Sequence, residues 1–218
     1  MSAMVPLRIV AKLQGPVSLR SGALRIDALL AWAVAARDKL PPVGWVELRP
    51  IDIPVEREPG GRFHMASFAV PKFDEHDVRF INRKFPLAEA QSMAEAKLKT
   101  INISAGPCKS YRLPSEVAWV ANDELEWFVI GDEDAIRELL TLVQYVGHKR
   151  ATGRGKVSSW TVEPCEPWAD GFPIVRDGKP LRALPADWPG LNDPELAYQT
   201  LTYPYYLHTA EQLCAVPC

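Results

Sequence analysis

Cysteine and histidine are scarce, four of each in 218 residues. Cys108, Cys165, Cys214 and Cys218 form no CxxC pair, which argues against a disulfide framework and leaves reduced thiols as the expectation. His208, Cys214 and Cys218 lie close together but lack a fourth ligand at zinc spacing. There is no HExxH motif, and the acids of DEDAIRE read as a helix start rather than a metal pair. No metal and no cofactor are expected. Long apolar runs are also missing: none approaches the roughly 18 residues that cross a bilayer. The opening MSAMVPLRIVAKLQG lacks the charged-then-apolar layout of a secretory leader, so a cytoplasmic protein without membrane contact is expected. There is no internal repeat and no low-complexity tract. Excess positive charge is absent too, since the net charge is −2, which excludes a uniformly basic nucleic-acid binder.

The distribution of charge is another matter. Between Arg79 and Arg112 stand seven basic residues, Arg79, Arg83, Lys84, Lys97, Lys99, Lys109 and Arg112, against two acids, Glu89 and Glu95. A second island, Lys149, Arg150, Arg154 and Lys156, contains no acid. After Val157 the balance reverses, with eight acids against three bases. Two basic islands on an acidic body focus a field on a polyanion despite the negative total.

Hydrophobic patterning supplies the framework. Residues 7–13, LRIVAKL, alternate as a strand that ends at Gly15-Pro16. Residues 25–40 carry Ile26, Leu29, Leu30, Ala33, Val34 and Arg37 at helical spacing, stopped by Pro41-Pro42. WVELRPIDIPVER and RFHMASFAVP read as strands joined by a turn at Glu58-Pro59-Gly60-Gly61, the first at an edge because of Pro50 and Pro54. LEWFVIG is a short apolar strand. DEDAIRELLTLVQYVG is the clearest helix, with a stripe of Ile136, Leu139, Leu140, Val143 and Val146. KVSSWTVEPCE reads as the strand that follows. This order predicts an α+β fold with a ferredoxin-like (RRM-like) βαββαβ core. The expected divisions are 1–71 and 122–163 for the core, 72–121 for a basic insertion, and 164–218 for an irregular tail. In that tail Trp168, Trp188 and YPYY need a surface to bury against.

The densest signal is YVGHKRATGRGKVSSW, residues 145–160. Gly147, Gly153 and Gly155 permit backbone angles closed to other residues and let a phosphate approach the main chain. His148, Lys149, Arg150, Thr152, Arg154 and Lys156 surround them with donors. The loop follows a helix and precedes a strand, and Val157 follows Lys156, so it is neither a nucleotide P-loop nor a dinucleotide fingerprint. A helix cap at Gly147 followed by a charged surface loop is the bland alternative.

YVGHKRATGRGKVSSWTVE resembles the glycine-rich loop of the RAMP superfamily of CRISPR-associated proteins. LRIDALLAWAVA, FHMASFAVP, the basic INRKFP, and YPYY followed by LCAVP are similar to one branch, the handle-binding subunit of type IV (csf) CRISPR effectors. The resemblance implies a ferredoxin-like fold and a subunit that caps the complex and grips the 5′ handle of guide RNA. It also implies contact with backbone and large-like subunits, and help in inspecting target-flanking DNA. Residues 72–121 match the place of a thumb-like β-hairpin, where Tyr111, Trp119 and Phe85 would stack handle bases. Some relatives cut RNA with histidine. His64, His76 and His148 are therefore the candidates, with His148 or His64 serving a metal-independent endoribonuclease, although no arranged acid–base set is evident and a non-catalytic role is expected. A third alternative is a scaffold whose basic islands meet an acidic protein.

Overall fold

In the computed structural model, the residues described are 3–19, 24–40, 51–69, 71–93, 102–106, 108–148, 150–203, 205 and 210–217. Residues 45–50, the first part of the expected strand WVELRPIDIPVER, lie outside them, as do Lys97, Lys99, Lys149, His208 and Cys218. Strand β1 (Val5–Leu13) leads through β2 (Leu24–Arg25) directly into helix α1 (Ile26–Arg37). After β3 (Phe68–Ala69) come β4 (Phe73–Arg83), α2 (Leu87–Met93) and β5 (Tyr111–Val120). Then follow β6 (Glu124–Gly131), α3 (Glu133–Leu140) and β7 (Val157–Pro164).

The central sheet has the order β6-β1-β7, with β1 antiparallel to both neighbours. Leu7, Ile9 and Ala11 alternate into the interior, as a strand with one buried face requires. They meet Ile26, Leu30, Ala33 and Val34 of α1 and Ile136, Leu139 and Leu140 of α3 in one core. Trp127 on β6 is fully buried, and its indole Nε1 donates to the Leu24 carbonyl at 2.9 Å. A βαββαβ core would place a fourth strand beside β6. Among the described residues that edge carries only the isolated bridges Val55–Gly131 and Ala66–Val129. Pro54, one of the two prolines read as marking an edge strand, explains part of the loss, because it has no amide to donate to a ladder.

Two expectations change. The helix expected to run to Gly147 ends at Leu140. Asp132 caps its start by accepting from the Ala135 amide at 3.1 Å, but Thr141 turns its hydroxyl onto the Glu138 carbonyl at 2.6 Å. Val143 and Val146 are buried as expected, yet from an extended segment: the Val157 amide donates to Gln144 and the Val146 amide to Gly155. β-Branched residues give up little by leaving a helix when a strand edge offers partners. A helix cap at Gly147 is thereby excluded.

The tail is also more regular than expected. β8 (Val175–Arg176) and β9 (Lys179–Pro180) form a hairpin, and β10 (Leu184–Pro185), β11 (Glu195–Gln199) and β12 (Gln212–Val216) form a sheet in the order β10-β12-β11. A second core of Phe63, Phe68, Ile174, Leu184, Leu201 and Cys214 lies beneath it. Trp188 packs on Phe63, and Trp168 on Phe172 and Phe128, which supplies the burial these aromatics require.

A buried polar cluster joins the two cores. Arg182 is fully buried and donates to the carbonyls of His64, of Ala66 at 3.2 Å and of Leu201 at 2.5 Å. Its guanidinium lies 3.6 Å from the carboxylate of Asp27 on α1, which also accepts from the Tyr205 hydroxyl. Burial, reinforced by that carboxylate, holds the Tyr205 pKa well above the ordinary phenol value. Replacing Arg182 with alanine strands a buried carboxylate and the carbonyls it satisfies. Arg182→Ala should cost about 3–5 kcal/mol in urea unfolding, because removing one partner of a buried pair leaves its charge uncompensated.

Candidate nucleic-acid interface

The basic loop is built on a five-residue connector that leaves β1. Gln14 donates to the Lys156 carbonyl at 2.8 Å, Pro16 accepts from the Gly155 amide at 2.9 Å, and Ser18 accepts from the His148 amide at 2.7 Å. Between them Val17 pairs with Ala118 of β5 in both directions, at 2.8 and 2.9 Å. The same connector therefore fastens the glycine loop and the base of the hairpin. Arg154 adds a second tie: it is 9% exposed, and its guanidinium donates to the Ser115 hydroxyl at 2.5 Å and the Glu116 carbonyl at 3.3 Å.

The glycines divide by role. A side chain on Gly155 would place its Cβ 2.0 Å from the Val146 carbonyl oxygen, and one on Gly147 would sit 2.7 Å from the Ser18 carbonyl oxygen. Both residues have positive φ, so they serve close backbone crossings. Gly153 also has positive φ, at 79°, but nothing lies within 4 Å of where its Cβ would stand. The expected amide cradle is largely spent within the protein, because His148, Gly153 and Gly155 donate their N–H groups to Ser18, Arg150 and Pro16. Side chains are left to meet an anion. His148, Arg150, Thr152 and Lys156 are exposed.

β4 and β5 pair over nearly their whole length, from Glu75–Trp119 to Arg83–Tyr111. The insertion is thus a long antiparallel hairpin, with α2 in its connection. Cross-strand pairing places Arg79, Arg83, Tyr111 and Trp119 on the same face as Ser115, the residue held by Arg154. Arg79 lies over the Trp119 ring at 5.2 Å. Arg112 belongs to the other face, 3.8 Å from the Phe80 ring centroid. Lys84 and Lys109 are exposed where the strands leave the hairpin. Phe85 is half-buried there, its amide donating to the Ser110 hydroxyl at 3.3 Å. The distal hairpin is open on both faces, with Val78, Phe80 and Leu113 each close to half exposed. A two-stranded ribbon of this kind gains stability when something covers it.

The two histidines differ sharply. His148 is exposed in the basic loop. His64 is 4% exposed, and its ring nitrogens have no hydrogen-bond partner among the described residues. Burial pushes its pKa from 6.5 down to about 4, with Asp27 opposing the shift and Arg57 and Arg182 adding to it. His64 is neutral and closed to a substrate phosphate at neutral pH.

Sequence reasoning passed over three contributors. Gln14–Ser18 reads only as a strand end. Ser115 carries no signal at all. Trp32 was absorbed into a core helix, although it falls off the buried stripe of α1 and is 42% exposed. It lies beneath Arg150, 5.8 Å from the guanidinium carbon.

Comparison with known families gives one match: a family described as CRISPR type IV associated protein Csf3 covers residues 65–218, a stretch that includes both basic islands. No curated protein matches the chain.

Gly155→Ala should destabilise the fold by on the order of 3 kcal/mol, through the Val146 clash. Gly153→Ala should cost about 1–2 kcal/mol, the strain of a left-handed alanine alone. Equal midpoints for the two in urea would contradict this division. His64 adds a pH test. The unfolded chain binds a proton below 6.5 that the native state refuses until about 4, so stability should fall as pH drops through that window. The loss is on the order of 3 kcal/mol by its lower end, and His64→Leu should flatten it.

Proposed function

The chain belongs to the Csf3 family of type IV CRISPR-associated proteins, and from that premise we propose that it is a non-catalytic subunit that grips guide RNA. The loop of residues 147–156 and the hairpin face that carries Arg79 and Arg83 form one track for the 5′ handle, with Arg79 oriented by its ion pair to Asp77 at 3.3 Å. The observation that carries this reading is that the Gln14–Ser18 connector and Arg154 hold the basic loop against the base of the hairpin that carries the other basic residues. A solvated charge run has no need of such a joint.

Affinity in this reading comes from side chains. Arg150 and Lys156 meet phosphates beside the loop, Arg79 and Arg83 continue the track, and Tyr111 and Trp119 offer flat faces to unpaired bases. Arg154 acts indirectly, by fixing the hairpin to the loop. The core is a reduced ferredoxin-like unit of the RAMP type. Its supports are the β6-β1-β7 order and the packing of α1 and α3 together against that sheet, with the remaining strand shrunk to bridges. The exposed apolar residues of the hairpin's other face, Val78 and Phe80, suit contact with backbone or large-like subunits, and the hairpin tip suits target-flanking DNA.

The joint substitution Arg150→Glu, Lys156→Glu should weaken binding to a repeat-derived oligonucleotide for all sequences together. It should lower the slope of log K against log salt by about 0.7 per lost phosphate contact. An unchanged affinity and slope would remove the loop from the interface. Wild-type protein incubated with repeat RNA should leave it intact. A metal-independent product that disappears in His148→Ala would replace this reading with an endoribonuclease.

A further inference from the structure

An open groove of about 660 Å³ lies on the solvent side of the glycine loop, lined by Trp32, Leu142, Gln144, Tyr145, Arg150, Ala151 and Gly153. Its walls come from α1, from the extended segment after α3, and from the loop. We propose that this groove takes one unstacked nucleobase of single-stranded RNA, held between the Trp32 ring and the Arg150 guanidinium.

Three features select that occupant. First, α1 is otherwise a core helix: Leu30, Ala31, Ala33 and Val34 are buried, while Trp32 projects its ring from the same turn at 42% exposure. Leu142, opposite, is 40% exposed. An apolar floor with an indole suits a planar heterocycle, because every base has a π-face to stack. Second, Arg150 stands 5.8 Å from the Trp32 ring centroid, a spacing at which the guanidinium plane and the indole already attract one another. A base entering here meets an aromatic face on one side and a cationic plane on the other.

Third, charge fits the backbone attached to such a base. No acidic residue lines the groove, and exposed Lys156 belongs to the same loop. Gly153 leaves the rim without a side chain at the point where nothing stands within 4 Å. A ribose-phosphate can therefore pass the rim closely while its base turns inward. Gln144 adds a side-chain amide, with a donor and an acceptor for the edge of the base.

The proposal rests on the RNA-binding reading above and adds a base site at the glycine loop, where that reading assigns only phosphates. The test uses full-length protein and two labelled single-stranded oligomers of equal length, one of ordinary uridylate and one of abasic ribose-phosphate. Wild type should bind the uridylate oligomer more tightly. Trp32→Ala should lose roughly 5- to 100-fold on that oligomer, the range for removal of one stacked base. It should leave abasic binding unchanged, and Trp32→Phe should recover most of the loss. Equal loss on both oligomers, or no loss on either, overturns the pocket while the phosphate grip stands. Failure of wild type to bind either oligomer at low salt overturns both readings. Trp32 is largely outside the core, so circular dichroism of Trp32→Ala should match wild type.

Discussion

The connector Gln14–Ser18 is the constraint on which the placement of the glycine loop and the hairpin depends. It leaves the central strand and spends its backbone groups on two other parts of the chain: Lys156, Gly155 and His148 of the loop, and Ala118 of the hairpin. Val17, Ser18, Ala118 and Gly155 are buried, so their backbone groups would otherwise lack partners and the arrangement is costly to undo. The basic loop is thereby held at the base of the hairpin, where Arg154 reaches Ser115 across from Arg79.

That constraint also sorts residues that look alike in sequence. Arg150, Arg154 and Lys156 belong to one run of charge, yet Arg154 turns inward to Ser115 while the other two face solvent. The glycines sort in the same way: Gly147 and Gly155 let the chain pass beneath its neighbours, and Gly153 keeps the rim open. The loop is consequently a rigid platform for side chains more than a cradle of amides. Arg182, Asp27 and Tyr205 tie the acidic C-terminal portion to α1 and to the segment before β3.

Much of this was legible beforehand. Alternation placed β1, a short apolar run placed β6, the segment after the glycine loop read as β7, and the acids at residues 132–134 placed the start of α3. The end of α3 was not legible, because Val143 and Val146 keep a helical spacing while serving an extended strand edge, and periodicity alone cannot separate the two. The sheet of the tail escaped notice because strands of two to five residues are too short to alternate visibly. Trp32 was hidden by its company, an aromatic inside an apolar helix, and only its position off the buried stripe sets it apart. Burial of Arg154 depends on a partner 39 residues away, which no local pattern encodes.

The central claim is that the joined loop and hairpin hold one defined RNA. The most direct test is to purify the protein from its native host after ultraviolet crosslinking, sequence the attached RNA, and map the crosslinked peptides. The account predicts a short RNA class with a constant repeat-derived 5′ end, linked to peptides from residues 147–156 and from the hairpin. Recovery without RNA, or with unselected fragments linked elsewhere on the surface, would contradict it.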